Sequence, residues 1–374
     1  DPPSLALLVP IMLRGLRERG TQPRRRAAHI VGSMCSLLAD RRHIVPYLEA
    51  LLPPLRDVLL DPIPEVRTTA SRALGRLCAG LGEGHFPDLM PWLLTALRSE
   101  SSNAERAGAA QGLAELLAAL GERRLGEFRP ALPDGSAGAS SPAAREGHAL
   151  LWLHLARAAG AAFEPHMPEV LPALLRALDD DYESVRSAAM ASAREMISIY
   201  TDAATRLLLP SLQAGLLLPS HRMRIVSIEL LGELMERMTG GEPLSLEHGS
   251  SGGGHGEPDE ALAGVPAELQ HSLLASLYVA RCDTEQEARP PAAPAWTALV
   301  PTTPPPPRPL LPTPPRILVD MLSSDDEDMV EAGTSALIEL VAKLGEKALG
   351  MLVPSFQKRL AEGTGSVRER AAAC

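Results

Sequence analysis

Aromatic residues are scarce in this chain: 374 positions hold four Phe, four Tyr and three Trp, 3% in all. A single compact core of that size normally relies on large rings to fill its centre, so many thin layers of smaller side chains are the expectation. Lysine is nearly missing, with only Lys343, Lys347 and Lys358, and arginine carries almost all of the positive charge. Four cysteines without a Cys-x-x-Cys pair argue against a disulfide scaffold or a structural zinc site. No apolar run reaches the roughly 18 residues a membrane-crossing helix needs, so no membrane partner is expected. The formal charge of -10 argues against a generically basic nucleic-acid binder. The chain starts at Asp1 without a signal-peptide pattern and stops at Cys374 partway through an amphipathic pattern, and we read it as a piece of a longer polypeptide.

What is present is a helix-former's palette, 45% hydrophobic and dominated by Ala, Leu and Arg. It is periodic. A proline opens an apolar stretch at Pro10, Pro53, Pro91, Pro130, Pro172, Pro210, Pro312 and Pro354, at intervals of 43, 38, 39, 42, 38, 102 and 42. An arginine follows 14 or 15 residues later at Arg24, Arg67, Arg106, Arg145, Arg186, Arg224 and Arg368. Two anchors recurring together define a repeat of about 40 residues.

Each unit reads as two helices. The proline is expected in the first turn, where its missing N–H costs nothing. Leu55 and Leu59, Leu93 and Leu97, Leu174 and Leu178, and Leu212 and Leu216 then share a face. A polar break follows, and the second helix is expected to start at Val66-Arg67 or Val185-Arg186. Three residues past the arginine the side chain is small (Ala27, Ala70, Ala109, Ala189). Seven past it lies the main core position: Val31, Leu74, Leu113, Trp152, Leu231 and Trp296.

The fold class is therefore all-α, a superhelical solenoid of about nine helix pairs. Residues 1–239 hold repeats one to six. Residues 240–264 form a Gly/Ser/His-rich insertion with too little apolar surface to pack, expected to be a disordered loop. Residues 265–374 hold divergent repeats seven to nine. Two repeats are damaged: Pro133–Gly138 is turn chemistry where the fourth repeat's first helix belongs, and 290–315 carries 12 prolines. The latter reads as a stiff polyproline segment, with docking to SH3- or WW-type partners as the other reading.

A helical pair of this length with this proline and Val-Arg pattern resembles the HEAT repeat. Three runs go further: Leu59–Arg67, Arg106–Glu115 and Arg224–Leu234. They resemble the giant HEAT-repeat translational activators of general amino-acid control, which are ribosome-associated activators of the kinase that phosphorylates initiation factor 2 alpha. The similarity is strongest over Tyr47–Met238, and the proline-rich stretch departs from the family. The resemblance implies a cytoplasmic, non-catalytic scaffold with the ribosome, protein and RNA surface, as partner. It places kinase contact in a region outside this chain and implies no cofactor and no small-molecule substrate. A generic protein-interaction HEAT adaptor, and the HEAT part of an elongation-factor-three-like ATPase, are the alternatives.

Candidate sites follow from charge. Residues 1–60 carry nine arginines against five acids, a net +4 where the remainder carries -14. Arg14, Arg17, Arg24, Arg25 and Arg26 cluster about one inter-helix turn and would meet ribosomal RNA phosphates by counterion release. A solvated helix rim is the other reading, and no aromatic interleaves there to stack on bases. The Val-Arg arginines suggest either a phosphate-binding row or a structural ladder. Asp61 with Arg67 and Asp180 with Arg186, each six apart, favour a ladder linking neighbouring turns. It is incomplete, because Ser99, Gly138 and Leu218 replace the aspartate.

Other candidates are weak. Asp179–Asp181 and Asp325–Asp328 suit helix N-termini and lack the glycine and twelfth-position glutamate of a calcium loop. Ser323 and Ser324 precede the second run in an acidic-directed phosphorylation pattern. Cys35 and Cys78 share one repeat position and read as core. His248 and His255 lack a third ordered metal ligand, and Gly252–Gly254 lacks the Lys-Ser/Thr of a P-loop. No catalytic triad or paired-carboxylate motif is present.

Overall fold

In the computed structural model, residues 2–128 and 141–239 are described, apart from 39, 217 and 219, together with 326–344 and scattered positions between 277 and 357. The insertion at 240–264, the proline-rich 290–315, the turn at Pro133–Gly138, Trp296 and the Val367-Arg368 helix start lie outside the described residues. All regular structure among the described residues is helical.

The elements alternate as first and second helices of successive pairs: α1 Pro2–Arg17 and α2 Thr21–Leu37; α3 Leu48–Leu59 and α4 Pro64–Leu81; α5 Leu89–Leu97 and α6 Asn103–Leu120; then the short α7 Glu122–Phe128 and, beyond residues 129–140 where the fourth pair's first helix is expected and which lie outside the described residues, its second helix α8 Pro142–Ala159; α9 Met167–Leu178 and α10 Glu183–Ile199; α11 Thr201–Gly215 and α12 His221–Thr239. Helix α13, Glu327–Leu344, lies further on. Residues 1–199 form one compact unit and 200–374 a second. In the first unit each second helix packs on the second helix of the next pair, α2 on α4, α4 on α6, α6 on α8 and α8 on α10.

The repeat positions explain that stacking. Val31, Leu74, Leu113 and Trp152 are buried, as is Leu231 in the second unit, and Leu55, Leu59, Leu93, Leu97, Leu174 and Leu178 form the face of the first helices that meets them. Removing each such side chain from water contributes about 1.5–3 kcal/mol. Ala27, Ala70, Ala109 and Ala189 are buried at the contact where backbones approach. Arg56 lies 4.9 Å over the ring of Trp92, stacking a cation of α3 on the aromatic face of α5.

The helix starts differ from the sequence expectation. Pro10, Pro53, Pro172 and Pro210 lie inside α1, α3, α9 and α11 rather than in their first turns. The first helices begin earlier because the residues before the proline are themselves apolar and buried: Leu5 and Val9, Leu48 and Leu51, Met167 and Val170, Leu208 and Leu209. That burial outweighs the backbone hydrogen bond a proline forfeits. Pro91 of α5 stays within the first turn. The second helices also start two residues earlier than expected, at Pro64 and Glu183.

A close contact recurs between a first helix and the second helix of the following pair. A Cβ placed on Gly108 of α6 would stand 2.1 Å from the Leu59 carbonyl oxygen, and one on Gly147 of α8 would stand 2.0 Å from that of Leu97. Both carbonyls belong to helix C-termini, which no rotamer change relocates. Gly147→Ala is therefore expected to lower unfolding stability by about 1–3 kcal/mol through overpacking. Gly84→Ala, where no atom lies within 4 Å of an added Cβ, is the control. Urea melts of both variants check this, and equal stability of the two would remove the explanation.

Candidate functional site

Four of the turns that join the helices of a pair are built around their arginine. The guanidinium donates back to a carbonyl six or seven residues earlier: Arg67 to Asp61 O at 2.9 Å, Arg106 to Ser99 O at 2.7 Å, Arg186 to Asp180 O at 2.7 Å and Arg224 to Leu218 O at 3.0 Å. These carbonyls follow the end of the first helix, where helical partners have run out. Arg67 and Arg186 thus meet their own repeat's aspartate through the backbone.

The aspartate carboxylate takes the arginine of the preceding repeat. Asp61, buried, accepts from Arg24, and its other oxygen holds the Ile63 N–H at 2.9 Å. Asp180 accepts from Arg145 in a two-pronged contact of 2.6 and 3.1 Å, and from the Tyr182 N–H at 3.0 Å. Burial pushes the Asp180 carboxyl up, but the Arg145 and Tyr182 hydrogen bonds and the Arg145 and Arg186 charges pull it further down, and the net shift is downward. The same hydrogen bond raises Arg145.

Gaps in the aspartate column have two outcomes. Opposite Arg67 the position is Ser99; no carboxylate bonds this guanidinium, and burial lowers its pKa. Opposite Arg106, Glu146 of α8 substitutes. It is 3% exposed and meets Arg106 at 2.9 Å. Sequence reasoning missed Glu146, since the aspartate column reads Gly138 there. The available signal was an acid directly after the anchor arginine, Arg145-Glu146.

The five N-terminal arginines divide. Arg24 is committed to Asp61, so the structure moves it out of the exposed cluster and into the ladder. Arg14 and Arg17 end α1 and are exposed; Arg14 faces Glu18 at 3.5 Å. With Pro10, Leu13, Glu18 and Arg19 they line an open groove of about 680 Å³. Arg25 is half-buried and Arg26 exposed near the start of α2. That end has no acid in its first turn and no side-chain cap, so cations stand where the helix dipole favours anions.

Cys35 and Cys78 are buried, and burial pushes the Cys78 thiol up to about 12, which keeps it protonated. Among the described residues no group of three or more His, Cys, Asp or Glu is placed to hold a metal, and no helix is long and apolar enough to cross a membrane. His248, His255 and Gly252–Gly254 lie outside the described residues.

Two family models align with most of this helical array: the elongation factor 3/GNC1 HEAT repeat over residues 1–88 and the elongation factor 3 N-terminal HEAT repeat over 106–239. The chain belongs to the elongation factor 3/GNC1 HEAT-repeat family. It is 36% identical over 96% of its length to the human "Stalled ribosome sensor GCN1", and 36% identical over 98% to the Saccharomyces cerevisiae "eIF-2-alpha kinase activator GCN1". It spans 14% of each of those proteins. A solved structure of Kap95p with RanGDP shares the fold at a TM-score of 0.50 and 14% identity, over 99% of this chain and 47% of that one. The family's HEAT array is a scaffold architecture, and this chain is an all-α HEAT solenoid of that kind.

The pairing inside these GNC1-type HEAT turns is open to direct test. Arg106→Met should cost about 3–5 kcal/mol by leaving Glu146 buried and unpaired, while Arg106→Met combined with Glu146→Leu should recover most of it. Chemical denaturation of the two variants checks this; a double variant as weak as the single one would refute it. A second prediction concerns His148, which occupies the small-residue slot of the fourth repeat. It is buried, bonded through Nδ1 to Ala144 O at 2.6 Å, with Nε2 unpartnered.

Burial holds His148 down at about 4, well below the usual histidine value. The unfolded chain therefore binds the extra proton first as pH falls. Stability should be flat above pH 6.5 and decline toward pH 4, by on the order of 3 kcal/mol from this residue. His148→Leu should flatten part of that acid limb in thermal melts taken from pH 7 to 4.

Proposed function

We propose that this chain is a ribosome-binding, non-catalytic scaffold segment that supports activation of the initiation factor 2 alpha kinase during amino-acid starvation, working in the cytoplasm. The observation that carries the reading is similarity along nearly the whole chain to proteins named for stalled-ribosome sensing and for activating that kinase. The match to an elongation factor 3 of Eremothecium gossypii covers only 20% of this chain, which favours the scaffold over the ATPase alternative. Kinase contact is assigned to no residue of this chain.

Within the chain, the ribosome contact is assigned to Arg14, Arg17, Arg25 and Arg26. They lie at the end of α1 and near the start of α2, on either side of one turn, and none has an internal acidic partner closer than the 3.5 Å contact of Arg14 with Glu18. A phosphate chain arriving there displaces counterions and relieves repulsion between like charges. Arg24 helps by holding the α2 end against Asp61 of the next repeat. Asp61 with Arg67, and Asp180 with Arg186, serve as the structural ladder.

Co-sedimentation with purified ribosomes over a salt series tests this. The variant Arg14→Glu, Arg17→Glu, Arg25→Glu, Arg26→Glu should bind more weakly. Its log-affinity should fall less steeply with log salt, by about 0.7–0.9 for each phosphate that is no longer neutralised. Arg42→Glu with Arg123→Glu, exposed arginines elsewhere, should bind as the parent does. Equal binding and equal slope for the fourfold variant would overturn the assignment.

A further inference from the structure

The exposed side of the stacked second helices carries a second polar site, away from the N-terminal arginines. A cavity of about 140 Å³ crosses three repeats there and is lined by Thr68 and Arg72 of α4, Gln111 and Glu115 of α6, and His154 and Arg157 of α8, among others. That volume is the room of about four to five waters. Its base includes Ser71 and Ala114, both buried.

One wall group lacks a partner. Thr68 Oγ1 donates to Pro64 O at 3.0 Å, so toward Gln111 it acts as acceptor and fixes Nε2 of the amide on itself at 3.3 Å. Oε1 of Gln111 is then a buried acceptor with no donor. Leaving such an oxygen unsatisfied costs about 1–3 kcal/mol, which an incoming N–H removes. His154, half-buried and held neutral at about 4 by burial and by the Arg157 and Arg67 charges, keeps one ring N–H to offer.

The charges around the cavity are unequal. Arg72 and Arg157 are 64% and 54% exposed, and Arg76 also acts on Glu115. Arg157 meets Glu195 at 2.7 Å, and Arg72 reaches Glu115 only at 3.8 Å. Arg72, Arg76 and Arg157 thus stand against the two carboxylates of Glu115 and Glu195, leaving one positive charge in excess beside a buried acceptor and a neutral donor.

We propose that this groove holds an acidic stretch of a partner polypeptide, with one carboxylate between Arg72 and Arg157 and a main-chain N–H of the same stretch on Oε1 of Gln111. A polypeptide fits better than a nucleic acid. No Phe, Tyr or Trp ring lines the cavity for base stacking. Glu115 and Glu195 stand beside the arginines, where they repel a continuous phosphate chain but leave room for a single carboxylate. The site is independent of the ribosome assignment, since it shares none of Arg14, Arg17, Arg25 and Arg26.

The test uses the full 374-residue chain and an array of fluorescent 12-residue peptides bearing one to six Asp or Glu at varied spacing in a Ser/Gly background. Matched lysine peptides and a 12-nucleotide single-stranded RNA serve as comparison probes. Fluorescence anisotropy should find acidic peptides that bind while the lysine peptides do not. Arg157→Gln and Gln111→Leu should each weaken binding at least tenfold, Arg157→Lys less, and Arg72→Gln with Arg157→Gln should abolish it. Circular dichroism melts of every variant confirm folding, which substitutions at the two exposed arginines leave intact. Absence of any acidic binder, binding indifferent to the double variant, or RNA competing at this groove would each overturn the proposal. Loss of ribosome co-sedimentation by the N-terminal variant is a separate result and bears on neither outcome.

Discussion

Close approach of successive second helices is the constraint on which the rest depends. Each helix pair is too thin to bury its own apolar face, so the next pair must cover it, and it can do so only where backbones come near. Ala27, Ala70 and Ala109 at the contact, with Gly108 and Gly147 beneath neighbouring carbonyls, allow that distance. Large rings would hold the layers apart. The aromatic poverty of the sequence is thus a property of the layer spacing, and the Leu and Ala that replace rings bury fully in the thin interface. Among the described second-helix core positions, Trp152 is the one that carries a ring.

That spacing also dictates how the turns are held. Packed layers bring the turn of one repeat within reach of the arginine of the one before, and the turn has carbonyls left over from the end of its first helix. One guanidinium can therefore serve two repeats, closing its own turn through a carbonyl and gripping the next through a carboxylate. Arg24, with Arg19 O and Asp61, and Arg106, with Ser99 O and Glu146, each do both, and Arg145 makes the carboxylate half of the link with Asp180. Arg106 reaches its carboxylate on Glu146, from the body of α8 rather than from the turn. Lysine would not replace arginine here, because a point charge lacks the planar fork that spreads several N–H groups over separate acceptors. The near-absence of lysine fits this use, although exposed arginines such as Arg123 owe nothing to it.

The repeat length, the two-helix unit and the core columns were all legible in the sequence. They rest on spacing, and side chains at fixed offsets from Arg67 or Arg186 must share one face of a helix. The helix starts were less legible. Proline marks where a helix tolerates a missing N–H, yet Leu48, Leu51, Met167 and Val170 bury enough surface to extend the helix through it. Local chemistry suggested the boundary and tertiary burial moved it. The ladder was half legible: Asp61 and Asp180 were evident as turn acids, but which arginine each would meet depends on the distance between layers, and sequence offset does not encode that. Glu146 was hidden for the same reason, and so was the groove at Gln111. Its members come from three helices whose alignment appears only once they are stacked.

The ladder and the exposed arginines draw on one residue type for opposite ends. An arginine that has a carboxylate across the layer gap is neutralised and half-buried, and it ties one repeat to the next. An arginine two residues on, as Arg26 is from Arg24, points round the helix to another side, has no carboxylate to meet and stays available to an outside anion. The division is geometric, fixed by whether a side chain faces the next repeat or the solvent. A solenoid can therefore gain or lose an external contact at such a position without disturbing its own stacking, whereas a change at Arg24 or Asp61 reaches both neighbours. Surface contacts along this array are free to differ from repeat to repeat, while the turns that carry it are held to arginine.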